Sequence, residues 1–406
     1  MHIKNNDDIV ITGIGAVSPV GIGVTQYWDN LVNGKSGIGH ISRFDPSELA
    51  VKIAAEVKEF HPQDFMPRKL VNQTDAFTQF AYAAASEALD GQTIDEPDRF
   101  AIIVGTSLAG IETIARTQDA LTRATHKNVG PKFVPRILGN IAASHIAIGY
   151  GLTGTSLTIS TACASGNDAI ISAGRLLRCN EAEMALAVGT ESILCPLVIY
   201  SLANAGSLSK ENDLPQRACR PFDLNRSGFV IGEGGGALLL ETREHAENRG
   251  AEIYATLRGW ASNNDAYHIA TPLEDGAKAA QCIEGALRMS ALDPDDIDYI
   301  NAHGTGTISG DSAEASAIEK VFGSVSPLVG STKGATGHMM GAGGVTEAIA
   351  CIKVIQTGVV PPTLNLDQPA FDLDFVQNRQ TDLSVKVAMS NAFGFGGQNS
   401  TIVLTV

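Results

Sequence analysis

No two of the six cysteines (163, 179, 195, 219, 282 and 351) form a CxxC pair or a metal-like spacing, which predicts free thiols and no bound metal. Charge is sparse. Asp, Glu, Lys and Arg make up 18% of 406 residues against 44% apolar residues, a balance that excludes a disordered chain. Basic residues are the minority, 29 against 44 acidic, and the resulting −15 disfavours nucleic acid or an anionic membrane as a general partner. The start, MHIKNNDD, lacks a basic, apolar and small-residue succession, so a secretory signal is not expected and a cytoplasmic location is. One stretch, 137–167, carries no Asp, Glu, Lys or Arg. Gly, Ser, Thr and Asn interrupt it throughout, so it reads as a buried core segment and not as a membrane span.

Two nucleotide motifs fail on inspection. GEGGGA (232–237) fits G-x-G-x-x-A, but a strand-like ALLLE follows where a dinucleotide fold needs a helix. NGKSG (33–37) contains GKS, yet Asp29 stands where a phosphate loop needs its first glycine. The histidines at 2, 40, 61, 126, 145, 245 and 268 lack ligand spacing and receive no function.

What the chain does have is alternation. Val- and Ile-rich runs bounded by Gly and Ser read as buried strands at 9–19, 101–107, 156–161, 183–192 and 235–241. Alanine-rich stretches at 74–90 and 165–178 have helical apolar spacing, and the mixture predicts α/β layers. A second series of the same kind, from 251 through 296–307, 328–338, 385–397 and 400–406, repeats the order of elements. The expected organisation is two similar βα halves, 1–250 and 251–406.

The chemistry-bearing residues sit at strand ends. In TISTACASGNDAI (158–170), Cys163 lies between a strand and a helix, where unpaired N–H groups and the helix dipole are expected to lower a thiol's pKa. An inert buried thiol is the plain alternative. His303 in INAHGTGT (300–307) enters a Gly/Thr loop after a strand, as does His338 in STKGATGHMMGAGG (331–344), with Lys333 in the same loop and Glu347 nine residues beyond His338 on the next helix. In SNAFGFGGQNS (390–400), glycines would let a backbone N–H approach a ligand closely, although a plain hairpin turn is also consistent.

TACASG, NAHGTGT, STKGATGH and NAFGFGG, in this order and with RPFD (220–223) and GFVIGEG (228–234), resemble the β-ketoacyl-[acyl-carrier-protein] synthases of the thiolase fold. The resemblance spans essentially the whole chain and implies a layered α-β-α-β-α arrangement. It implies an acyl thioester on Cys163, decarboxylation of a malonyl group supported by neutral His303 and His338, and an oxyanion hole from the N–H groups of Cys163 and Phe395, Phe395 also being the gate. By the same resemblance Lys333 and Glu347 are a supporting pair, and Thr305 and Thr307 hold a phosphopantetheine arm. Arg68 and Lys69 match a patch for an acidic acyl carrier protein, with Arg123, Lys127, Lys132 and Arg136 as a second basic group. No permanently bound cofactor is implied, since substrates arrive on the carrier's arm, and a dimer is.

Asp168 and PLV (196–198) are also similar to the catalytic alpha subunit of type II polyketide ketosynthases, which pairs with a homologous chain-length factor. The loop YSLANAGSLS (200–209) departs from the usual acyl-pocket pattern, which leaves the acyl substrate open. A thiolase would need a second cysteine where Phe393 and Phe395 stand, and coenzyme A-dependent initiating synthases carry Asn where His338 stands. A non-catalytic carrier-binding scaffold fits poorly with intact Cys163, His303 and His338. A cysteine hydrolase lacks an evident Asn or Asp to orient its base.

Overall fold

The computed structural model describes residues 8–123, 129–323 and 325–406; His2, His126, Lys127 and most of the N-terminal MHIKNNDD segment lie outside them. In the first half, strands β1 (Ile9–Ser18), β2 (Phe100–Gly105), β3 (Ser156–Ile159), β4 (Met184–Glu191) and β5 (Gly234–Thr242) alternate with helices α1 (Ala76–Ala88) and α2 (Ser165–Arg178). In the second, β6 (Ala255–Asn264), β7 (Tyr299–Asn301), β8 (Leu328–Gly330), β9 (Val387–Gly394) and β10 (Gln398–Thr405) alternate with α3 (Ala277–Ser290), α4 (Ile308–Phe322) and α5 (Gly343–Thr357). The segment that mimicked a dinucleotide loop runs into β5, as its Leu-rich continuation requires.

Among the described residues, ten strands line up as β8-β7-β9-β10-β6-β1-β5-β4-β2-β3. Counted from the seam outward, both halves run first, fifth, fourth, second and third strand in chain order. Pair directions match as well. In each half the first strand is antiparallel to the fifth and the fifth to the fourth, while the remaining two pairs are parallel. The halves meet edge to edge at three pairs, Ile9 to Ile11 against Leu257 to Ala255.

Helix α1 covers the outer face of β1, β4 and β5, and α3 covers β6 and β10 with α4 beside it. Helices α2 and α5 pack on each other between the two halves. The result is the thiolase layering of helix, sheet, helix, sheet, helix. Alanine-rich α1, and α5 with its paired N-terminal glycines, fit because they are buried nearly all round, so small side chains allow close approach. The close approach of α2 to α5 needs glycine: a Cβ on Gly344 would stand 2.6 Å from the Asn167 backbone nitrogen.

The charge-free stretch 137–167 is only in part the buried segment its composition predicts: Cys163 to Asn167 are buried, as are Ala142, Ala143, Ile146 and Leu152, but much of the rest is at the surface. It forms a surface helix, Ile141–Tyr150, and the edge strand β3, with Ile148 78% and Leu157 47% exposed. Composition reported apolar residues correctly there but not what covers them, because an edge strand pairs on one side only. No helix among the described residues is long and apolar enough to cross a membrane, and all six cysteines are free.

Candidate active site

Cys163 sits in a tight turn, 162–164, between β3 and α2. The turn is held by short polar links. Thr161 N donates to Ser165 Oγ at 2.9 Å, Ser165 Oγ donates to Ala162 O at 2.7 Å, and Asp168 accepts from Thr161 Oγ1 at 2.6 Å and Ser400 Oγ at 3.0 Å. Ala162 takes a left-handed φ of 52°, a conformation costing roughly 1–2 kcal/mol for a residue with a Cβ. That strain, together with the polar links, sets the direction in which the following cysteine projects.

His338 is placed by the segment 229–232. Its N–H donates to Val230 O at 2.7 Å and its carbonyl accepts from Gly232 N at 2.8 Å. GFVIGEG therefore serves as a clamp on the imidazole, and the edge of Phe229 packs on the ring with centroids 5.3 Å apart. His303 is placed by Glu314 of α4, whose carboxylate accepts from the backbone N–H groups of His303 and Gly304 at 2.8 and 2.7 Å. The two rings meet edge to face at 5.2 Å. His338 Nε2 lies 3.0 Å from Cys163 Sγ, and donor atoms of Cys163, His303 and His338 all fall within 4.8 Å of one another.

Burial fixes the protonation of this cluster. It pushes the Cys163 thiol up to about 12, against the smaller opposing effects of the Lys333 charge and of backbone hydrogen bonds from Phe395 and Cys163 itself. The lowered thiol pKa expected from the helix start is thus overturned: loss of solvation outweighs the dipole at a buried sulfur. Burial, then the Lys333 charge, holds both imidazoles well below the usual histidine range. The resting pair is therefore a neutral thiol beside a neutral imidazole.

Lys333 and Glu347 are both buried and form an ion pair. Burial raises the Glu347 carboxyl despite that lysine. Thr305 and Thr307 share a hydroxyl–hydroxyl bond of 3.1 Å, and Thr307 also caps α4 by accepting from Gly310 N. Phe395 stands in the turn between β9 and β10, half exposed. That turn is tied to a facing loop by Gly396 N to Ile269 O and Asp265 N to Gly397 O, both 2.8 Å, and by Asn399 Nδ2 to Asp265 Oδ1 at 2.7 Å. A cavity of about 410 Å³ opens over the cluster, lined by Cys163, both histidines, Thr305, Thr307 and Phe395.

Lys333 and Glu347 lie behind this cavity and do not line it. Arg68 and Lys69 are also absent from its lining. They lie exposed on a short helix, Arg68–Val71, whose following residues are tied to the second basic group through Lys132 Nζ to Gln73 at 3.0 Å and Arg136 to Asn72 O. Arg123 pairs with Asp119 at 2.8 Å. Four residues escaped the sequence reading: Glu314, Asp265, Phe229 and Met340. Phe229 and Met340 lay inside quoted motifs, whereas Glu314, eleven residues past His303 and pushed up to about 7 by burial, left no pattern that a single sequence displays.

The arrangement can do covalent acyl chemistry: a thiol, a base in contact with it, backbone donors beside it and a second imidazole across the cavity. The chain is 40% identical to "3-oxoacyl-[acyl-carrier-protein] synthase 2" of Coxiella burnetii over 98% of both chains, and 40% identical to the protein of the same name from Synechocystis sp. over 97% of both. Among solved structures it superposes on the ishigamide ketosynthase/chain length factor with a TM-score of 0.92 at 33% identity, covering 98% of this chain and 99% of that one. A type II PKS ketosynthase solved with its acyl-carrier protein matches with a TM-score of 0.89, also at 33% identity and with the same coverage. Residues 6–246 match the family described as Beta-ketoacyl synthase, N-terminal domain, and residues 254–367 its C-terminal domain, so this chain belongs to the β-ketoacyl synthase family.

Proposed function

We propose that this protein is a β-ketoacyl-[acyl-carrier-protein] synthase, joining an acyl chain held on Cys163 to the two-carbon unit released from malonyl-carrier protein by loss of carbon dioxide. The observation that carries this reading is the 3.0 Å contact of Cys163 Sγ with His338 Nε2 beneath a cavity that His303 also lines.

In the first half-reaction, His338 Nε2 takes the thiol proton as Sγ attacks the acyl thioester carbonyl. The N–H groups of Cys163 and Phe395 receive the oxyanion. The pantetheine thiolate leaves and takes the proton back from His338, which restores both neutral imidazoles for the second step. There the malonyl carboxylate departs as carbon dioxide, and the enolate oxygen accepts from His303 Nε2–H and from His338 Nε2–H, the ring proton of His338 having exchanged from Nδ1 to Nε2 once the sulfur is acylated and no longer offers a proton. The enolate carbon attacks the Cys163 thioester, Sγ leaves as thiolate, and one solvent proton regenerates the thiol. Neutral imidazoles suit this role, since they donate a hydrogen bond to the developing charge, whereas an imidazolium would give up its proton to the enolate and quench the nucleophile. Thr305 and Thr307 offer hydroxyls to the arm, and Lys333 with Glu347 supports the histidines from behind.

The halves 1–250 and 251–406 serve as two thiolase units, the first bringing the nucleophile and the second the histidines and the 394–397 turn. The substrates come on an acyl carrier protein, docking at Arg68 and Lys69, and the chain works in the cytoplasm without a resident cofactor. Exposed Ile148, Leu157, Leu138 and Val134 around edge strand β3 give a surface for an identical or homologous subunit. The polyketide reading, an alpha subunit with a chain-length factor, is favoured by the 33% identical ketosynthase structures, whereas the 40% identical curated relatives favour the fatty-acid role. Purification with candidate carrier proteins, reading which acyl groups load and which subunits co-elute, separates the two. Cys163→Ala is expected to abolish acyl-enzyme formation while malonyl decarboxylation stays measurable, and His303→Ala to suppress decarboxylation more than acylation. Unchanged acylation in the Cys163 variant, read by intact mass, would sink the reading.

A further inference from the structure

Met340 stands beside Cys163 in the wall of the cavity. Its Sδ lies 3.9 Å from Cys163 Sγ. Ile193, Leu194, Cys195, Val198 and Ile199 do not line it, although they belong with Cys163 and Met340 to one buried apolar cluster. An acyl chain leaving the sulfur needs apolar surroundings, and that cluster is the apolar matter next to it. Met340 is the cluster's member in contact with the sulfur from that side.

The neighbourhood is stiff except for this side chain. The backbone of Met340 holds a left-handed φ of 47°, and the next residue, Gly341, donates its N–H to Glu191 at 3.2 Å. Glu191 is itself fixed by Ser107 N at 2.7 Å and Thr106 Oγ1 at 3.1 Å. Behind the cluster, Glu112 accepts from Leu194 N at 2.8 Å and Ser192 Oγ at 2.7 Å, pinning the loop that carries Ile193 and Leu194. A thioether on three rotatable bonds is the compliant element among these clamped backbones.

We infer that Met340 is a movable wall of the acyl site, swinging aside for an unbranched acyl chain and setting the chain length that Cys163 accepts. The inference rests on the acyl-enzyme reading above. An unbranched chain can follow the channel a displaced methionine opens, whereas a substituent on the carbon next to the carbonyl meets the thioether at once.

The test is a competition. Acetyl-, hexanoyl- and decanoyl-pantetheine are offered together, and the acyl groups on Cys163 are read by intact mass for the wild type, Met340→Ala, Met340→Gly and Met340→Phe. The Ala and Gly variants should raise the decanoyl-to-acetyl ratio by about tenfold or more, the scale on which a pocket discriminates a methylene or two, and Phe should lower it. The ratio is internal to each sample, so a poorly folded variant loses both products together without mimicking the effect. The Gly variant also suits the left-handed backbone and guards against collapse of the Ala variant. An unchanged ratio in folded Ala and Gly variants overturns the inference and leaves the acyl-enzyme reading standing. A wild-type protein that no donor acylates, although iodoacetamide alkylates Cys163, overturns the reading and the inference with it.

Discussion

His338 Nε2 touches Cys163 Sγ at 3.0 Å, and burial raises the thiol while depressing the imidazole. Both shifts point the same way, to a proton resting on sulfur. The nucleophile is therefore made during the reaction by transfer across this contact, not stored beforehand as a thiolate.

A pH profile follows from that. The imidazole works only when neutral, and its pKa is depressed, so the acid limb of acylation should fall below pH 6.5, the ordinary histidine value. From there to about pH 8.5 the rate should be flat, because the proton moves inside a neutral pair. His338→Ala should lose about 10²–10⁴-fold at pH 7 and should gain about tenfold per pH unit, since thiolate must then come from bulk ionisation. Acyl-enzyme formation followed by quenched mass measurement reads both profiles. A flat profile in the variant would remove His338 from the role of base.

The turn bearing Phe395 must lie close to the nucleophile's backbone, and Gly394 makes that approach possible. A Cβ there would stand 2.8 Å from Thr161 O and 3.0 Å from Cys163 N. Neither atom belongs to a side chain that can swing away, so Gly394→Ala should push the two loops apart. A displacement near 1 Å at a reacting centre costs about 10²-fold, and that loss is expected in acylation kcat/KM with sedimentation and thermal unfolding unchanged from wild type. Activity within about twofold of wild type would show that the Phe395 N–H contributes nothing at its observed position.

Local pattern displayed the strands, α2 and the loops bearing Cys163, His303 and His338, because each is encoded within a dozen residues: apolar run, small-residue turn, periodic helix. The convergence of these loops depends on long-range events. Glu314 reaches back to His303, Val230 grips His338, and α2 meets α5 through glycines, none of which leaves a periodic trace. The thiol's direction of shift was misread for the same reason, since the helix start is visible in sequence and the burial of the sulfur is not.

Lys333 and Glu347 form their ion pair in the interior, where removing one partner leaves the other's charge or polar group without compensation. Lys333→Met should lower stability by about 3–5 kcal/mol in urea unfolding, and adding Glu347→Leu should recover most of it. The double variant also isolates the electrostatic effect on the site. The lysine's charge helps hold both imidazoles low, so without it the acid limb of acylation should move to higher pH, although burial still keeps it below the free-histidine value. A recovered stability with an unmoved acid limb would make the pair structural only.

Arg68 and Lys69 are exposed, away from the cavity lining, and lie on a protein of net charge −15. A carrier protein that is acidic is repelled by the chain as a whole, so encounter depends on such local positive charge. Reversing both, Arg68→Glu with Lys69→Glu, removes two attractive charges and adds two repulsive ones at a site where the chemistry is untouched. KM for malonyl-carrier protein should rise by about tenfold or more at low salt, and the difference from wild type should shrink as ionic strength passes 0.15 M, where the screening length is about 8 Å. A free malonyl-pantetheine donor should be turned over at the wild-type rate. If both donors are affected equally, the substitutions act through the fold; if neither is, the carrier lands elsewhere, and the segment carrying Lys132 and Arg136 becomes the next surface to reverse.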